Sequence, residues 1–113
     1  MIKYLMLVKG SFAKWNSFSE DKRQDIIIQF GNFAKELHKL GFMCDGDGCN
    51  ERSFRFFNRD TAIDHALIDI NSNDMVTGYF IIEVPNETEA LRVLRLCPAF
   101  DCDEYVELVR CGH

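Results

Sequence analysis

Gly78-Tyr79-Phe80-Ile81-Ile82-Glu83-Val84 reads as a strand that is apolar on both faces, with Tyr79 and Ile81 on one side and Phe80, Ile82 and Val84 on the other. Pro85-Asn86 breaks it. Asn86 and Glu89 then form a capping-box-like pair in which Asn stands for the usual Ser or Thr. The helix they open carries Ala90, Leu91, Leu94 and Cys97 as its buried stripe, and Pro98 stops it. Tyr105-Val106-Glu107-Leu108-Val109 reads as a final strand. Strand, helix and strand in this cadence predict a sheet covered by helices.

Toward the N-terminus, Ile2-Lys3-Tyr4-Leu5-Met6-Leu7-Val8 is also strand-compatible and apolar on both sides, with Tyr4, Met6 and Val8 facing one way and Leu5 and Leu7 the other. A polar loop with Gly10 and Trp15 follows. Ser19 before Glu20 and Asp21 supplies an N-cap hydroxyl and two acids for the positive end of a helix. Within that helix Ile26, Phe30, Phe33, Ala34 and Leu37 recur at three- and four-residue steps, and Gly41 marks the stop. Gly31 inside it costs about 1 kcal/mol relative to Ala, which points to a close approach or a local weakness. Asp45-Gly46-Asp47-Gly48 reads as a turn cluster. Ser53-Phe54-Arg55-Phe56-Phe57-Asn58-Arg59 reads as a strand whose hairpin returns through residues 62–70, and Asn71-Ser72-Asn73-Asp74 as an exposed polar loop.

The totals bound the class. With 113 residues the chain suits one domain over residues 1–113, because a second core would have too little apolar surface to offset its ordering entropy. A net charge of −5 argues against tracking nucleic-acid phosphates, which needs clustered Lys and Arg. No apolar run approaches the ~20 residues that span a bilayer, and Lys9 interrupts the opening run too early for a signal peptide, so the reading is a cytoplasmic protein away from membranes. Five cysteines, an odd number, sit in helix, loop and strand contexts that predict free thiols. Cys44 and Cys49, like Cys97 and Cys102, have four residues between them, a looser spacing than that of zinc ribbons. No cofactor signature is present.

Two helices returning across one sheet predict an α+β fold, a ferredoxin-like βαββαβ domain with both helices on one face. The other face would be bare and apolar. At about 25 cal/mol per Å² of buried apolar area, a second copy covering that face would stabilise both, which predicts a homodimer closed into a dimeric α/β barrel. Ten phenylalanines fit an apolar interface in addition to a core.

Lys3-Tyr4-Leu5-Met6-Leu7, Trp15, Phe18-Ser19-Glu20-Asp21, Phe33-Ala34-Lys35-Glu36-Leu37 with Gly41, Met75-Val76-Thr77-Gly78-Tyr79-Phe80, Glu89-Ala90, Cys97-Pro98 and Val106-Glu107 occur in an order that resembles the YCII-related proteins, in the branch named for its DGPF motif. The resemblance implies a ferredoxin-like domain that dimerises into an α+β barrel, in a family whose biochemical role is largely undefined. Ala66-Leu67-Ile68-Asp69 stands where that family reads Asp-Gly-Pro-Phe, so activity tied to that motif is not implied.

For chemistry, the expected pocket lies between sheet and helices and takes a small-molecule ligand. His65 and Asp69 are the candidate catalytic pair, because His titrates near neutral pH and a carboxylate fixes its tautomer. Trp15, Asp74 and Tyr79 are the candidate ligand-binding residues. Against this stands a plain surface histidine beside surface acids. Cys97 sits at a helix C-terminus, where the dipole disfavours a thiolate and packing is the natural role. No phosphate loop, Ser-His-Asp order or H-E-x-x-H occurs. The alternative is a non-enzymatic regulatory or protein-interaction module.

Overall fold

A computed structural model describes residues 1–64 and 71–112. Its main sheet has four antiparallel strands in the order β2-β5-β1-β6, formed by β1 (Ile2–Gly10), β2 (Met43–Gly48), β5 (Met75–Val84) and β6 (Tyr105–Arg110). The helices are α1 (Phe12–Ser17), α2 (Glu20–Lys39) and α3 (Glu87–Leu94), and a 3-10 turn spans Pro98–Asp101. Among the described residues, strands β3 (Phe54–Phe56) and β4 (Ala62–Asp64) pair with each other in a separate two-stranded sheet. Among the described residues no helix is long and apolar enough to cross a membrane.

Local chemistry sets the ends of α2. Ser19 accepts from the Lys22 backbone N–H at 3.2 Å, and Glu20 and Asp21 occupy the first turn. At the other end Gly41 adopts a positive φ of 74°. The Gly41 N–H then donates to the His38 carbonyl and the Phe42 N–H to the Leu37 carbonyl, satisfying two orphan acceptors of the last turn. Phe42 and Leu37 both join the core, so the chain turns into β2 with its apolar contacts already made. In α3, Asn86 accepts from the Glu89 N–H at 2.9 Å, while the Glu89 carboxylate turns outward to Arg92. Its buried residues are Ala90 and Val93, with Leu91 exposed, and Cys97, expected in the same stripe, is buried just beyond the end of the helix.

The core sits between the inner face of the sheet and the two long helices. Tyr4, Met6, Val8, Phe80, Ile82 and Val84 project from β1 and β5, and Phe33, Leu37, Ala90, Val93, Cys97 and Ala99 meet them. Phe80 is the centre of an aromatic contact, stacked on Phe30 at 6.4 Å and edge-on to Phe33 at 5.4 Å. The other alternation class of the same strands, with Leu5, Leu7, Tyr79 and Ile81, is only half-buried among the described residues.

Two architectural expectations are overturned. The dimeric α/β barrel is not formed: the sheet is open, with β2 and β6 as free edges. Four strands in one chain leave those edges unpaired, and the charged Asp45, Asp47, Glu107 and Arg110 on them disfavour adding another strand. The simple ferredoxin-like βαββαβ order is overturned as well. Residues 54–64 form their own two-stranded sheet, because Asn58 accepts from the Asp60 and Thr61 N–H groups and folds that segment back on itself. A six-residue helix, α1, occupies the expected loop around Trp15, with Ser11 as its N-cap.

The expected turn at residues 45–48 is an edge strand. Gly46 lies opposite Phe80, and a Cβ there would fall 2.8 Å from the Phe80 ring and 2.9 Å from the Tyr79 carbonyl. Glycine is therefore required by close approach, not by a turn. A Cβ at Gly31, by contrast, meets nothing within 4 Å. Gly46→Ala is expected to destabilise the fold by about 1–3 kcal/mol through overpacking, and Gly31→Ala to stabilise it by about 0.5–1 kcal/mol through helix propensity, both read from urea unfolding midpoints.

Candidate functional site

Between α1, α2 and the sheet lies a cavity of about 400 Å³. Its floor is Val8 of β1, Gly46 and Gly48 of β2, and Gly78 and Phe80 of β5; its roof is Ile26, Phe30, Gly31 and Ala34 of α2. Phe12 and Trp15 of α1 close one end. Four of these residues are glycines. At Gly31 and Gly48 a Cβ would meet nothing within 4 Å, so part of the cavity volume exists because those side chains are missing.

Polar contacts hold the α1 wall in place. Arg23 of α2 donates to the Phe18 carbonyl at 2.8 Å and to that of Asn16 at 3.3 Å, and Lys14 pairs with Asp103 at 2.9 Å. The same Lys14 ammonium holds the Asp103 carboxyl below its ordinary value. Asp103 takes a positive φ of 61°, a conformation Asp tolerates, and thereby turns the chain from the 3-10 segment toward Glu104.

Glu104 and Thr77 form the polar end. The ladder between β1 and β5 shifts register after Val8, so that Val8 pairs with Gly78 and Lys9 with Val76, leaving Thr77 as the extra residue of a bulge. The Thr77 hydroxyl lies 3.3 Å from the Val8 carbonyl and donates a short hydrogen bond to the Glu104 carboxylate. The other Glu104 oxygen accepts from the Cys102 thiol at 3.1 Å. Gly10 makes room for this carboxylate, since a Cβ there would lie 2.7 Å from the Glu104 Cγ.

The cysteines are not arranged for nucleophilic work. All five thiols are free. Burial pushes Cys97 up to about 11, and burial together with the hydrogen bond to Glu104 pushes Cys102 up to about 12. Cys49, at the cavity wall, is raised by burial and then by Asp47. Such thiols stay protonated near neutral pH.

Of the residues singled out in the sequence, Trp15 lines the cavity. Tyr79 pairs with Leu7 on the opposite face of the sheet, where Asp45, desolvation and Asp47 raise its phenol. Asp74 is there too: it accepts a short hydrogen bond from the Tyr105 hydroxyl, beside Lys9, whose ammonium lies 6.0 Å from the Tyr105 ring centre. The structure thus separates Trp15 from Tyr79 and Asp74. His65 and Asp69 lie outside the described residues. Glu104, Thr77 and Phe12 went unmarked in the sequence. Asp101-Cys102-Asp103-Glu104 reads as one polar turn, and only the bulge and Gly10, both distant in sequence, give Glu104 its place.

The chain matches no family model and no curated protein. The resemblance to the YCII-related proteins and their DGPF branch is accordingly overturned. Its matching points are short, common strand and helix fragments, and the open sheet lacks the barrel that the resemblance implied.

The Asp74 contact has a spectroscopic signature. That hydrogen bond is the main cause holding the Tyr105 phenol up to about 12, with desolvation and the carboxylate charge adding to it. Asp74→Asn is expected to bring Tyr105 back toward its ordinary value of 10.0, seen as earlier tyrosinate absorbance in an alkaline titration.

Proposed function

We propose that residues 1–113 act as a small α+β binding domain whose cavity takes an apolar small molecule. The observation that carries this reading is the cavity itself: about 400 Å³, walled by Phe12, Trp15, Phe30 and Phe80, with its volume opened by glycines and a polar pair at one end. That size and lining fall within the range of ligand pockets, which bury a mostly apolar body and orient it with a few polar groups. Trp15 is the only tryptophan of the chain, so its fluorescence reports on occupancy directly. Gly48→Val narrows the cavity without a backbone penalty, because Gly48 lies outside the positive-φ region and its Cβ has open space. The expected outcome is a folded protein in which an aromatic alcohol such as phenylbutanol perturbs Trp15 emission less than it does in the unsubstituted chain. Unchanged quenching in Gly48→Val would sink the reading. His65 is carried into this proposal as the acid or base of any turnover and Asp69 as the carboxylate that fixes its tautomer, and alanine at either position enters the same titration, where a role at the ligand predicts weaker binding.

A second reading, self-association, is favoured by the half-buried apolar face of the sheet opposite the described helices. Leu5, Leu7 and Ile81 form an apolar patch there, with Val109 exposed beside them, framed by the ion pairs Lys3–Glu83 and Lys9–Glu107. An apolar centre with both charge signs at its border suits a two-fold copy of itself, and this homodimer is a face-to-face pairing of open sheets. It also serves the regulatory or protein-interaction alternative. Sedimentation velocity is expected to show a dimer that Leu7→Lys with Ile81→Lys converts to monomer without loss of helical signal; a monomer in the unsubstituted chain at tens of micromolar would reject it.

A further inference from the structure

The chemistry of the cavity's polar end restricts what can occupy it. Of the two described carboxylates that border it, Glu104 is the one bonded to Thr77 at the polar end, whereas Asp47 lies opposite Tyr79 and shares that residue's face of the sheet. Among the described residues that line the cavity there is no Lys, Arg or His, and Glu104 has no ion-pair partner among the described residues. Its two oxygens take one hydrogen bond each, from Thr77 and Cys102, which fixes the carboxylate yet leaves acceptor capacity on both. The Cys49 thiol at the wall adds no positive charge. The same cavity is walled by Phe12, Trp15, Phe30 and Phe80, aromatic rings that cover apolar carbon and are able to attract a cation. A carboxylate or phosphate headgroup would meet a fixed negative charge with no Lys, Arg or His among the described lining residues to offset it.

We propose that the occupant is a hydrophobic amine: an apolar, aryl or alkyl body seated under α2, with a protonated nitrogen donating to Glu104 at the Thr77 end of the cavity. The proposal rests on the cavity reading above and adds the charge and polarity of the ligand. Thr77 and Cys102 are positioning residues, holding the carboxylate in a single rotamer so that little ordering remains to be done on binding. Gly10 has the matching passive role, since any side chain there would displace Glu104.

A matched series separates this inference from the cavity reading on which it depends. Phenylbutylamine, phenylbutanol and phenylbutyrate share one body and differ in headgroup, and their binding is read by calorimetry together with Trp15 emission. The amine is expected to bind about tenfold or more tighter than the alcohol, the scale of one charge-assisted hydrogen bond, and the carboxylate weaker than both. Glu104→Gln should lower the amine to the affinity of the alcohol and leave the alcohol unchanged; Glu104→Asp, which keeps the charge but shortens its reach, should give an intermediate preference and guards against a fold defect specific to Gln. Amine binding left unweakened by Gly48→Val is adsorption to an acidic surface and overturns the proposal. Equal binding of the three compounds, or an amine preference unaffected by Glu104→Gln, overturns it while leaving the cavity reading intact. Failure of all three to bind removes both.

Discussion

The antiparallel ladder between β1 and β5 is the constraint on which the other parts depend. It runs from Ile2 opposite Val84 to Gly10 opposite Met75 and supplies the central pair of the four-stranded sheet. Because side chains alternate along a strand, the pairing register decides at once which apolar set meets the helices and which is left outside. With Tyr4, Met6 and Val8 inward, Phe80, Ile82 and Val84 come inward beside them, and α2 and α3 are held by that surface. A shift of one residue would place Lys3, Lys9 and Glu83 under the helices, where burying unpaired charge is prohibitive. The register is thus enforced from both faces.

The same ladder also creates the polar end of the cavity, through its one irregularity. An unbroken alternation would keep Thr77 in step with its neighbours on β5; the bulge after Val8 releases it, and its hydroxyl gains the Glu104 carboxylate. Loop geometry then completes the arrangement. The 3-10 turn packs Pro98 and Ala99 into the core, Asp103 reverses the backbone, and the Glu104 N–H donates to the Ala99 carbonyl at 3.0 Å, so the carboxylate approaches from a rigid base. Strand, turn and bulge each contribute one atom group to a site that none of them shows alone.

What could be read from the residues in advance follows from how local the signal is. The ends of α2 were legible because Ser19, Glu20, Asp21 and Gly41 act within one turn of their own position. β1, β5 and β6 were legible from their apolar runs, and the division of β1 and β5 into a buried set and a half-buried set with Leu5, Leu7 and Ile81 followed from the alternation. β2 was not, because Asp45, Gly46, Asp47 and Gly48 are all turn formers and only pairing with β5 makes them a strand. α1 is too short for a helical period to register. Closure into a barrel was an extrapolation from apolarity on both faces, which shows that a surface is exposed and does not dictate the geometry that covers it. Of the candidate site, Trp15 was found as a large aromatic in a connecting segment, whereas Glu104 depends on partners far away in the chain. The richness in phenylalanine divides similarly: Phe33 and Phe80 build the core, while Phe54, Phe56 and Phe57 stand exposed on the β3-β4 hairpin.

The glycines link stability to binding. In a sheet edge and a helix of this composition, alanine at Gly31 and valine at Gly48 would raise local propensity, and neither position is closed to a side chain by backbone geometry or by a neighbour. Gly46 differs, because Phe80 occupies its space. Two of the three therefore weaken their elements by about 1 kcal/mol each without a packing reason in the folded chain itself. A core selected for stability alone would have filled that volume, since aromatic walls facing a void lose dispersion contacts. An occupant restores those contacts, and the free energy that the glycines forgo in the empty domain becomes available as binding energy when the space is filled. The helix-weakening residue in the middle of α2 and the strand-weakening residue at the end of β2 thus share one consequence, the space between them.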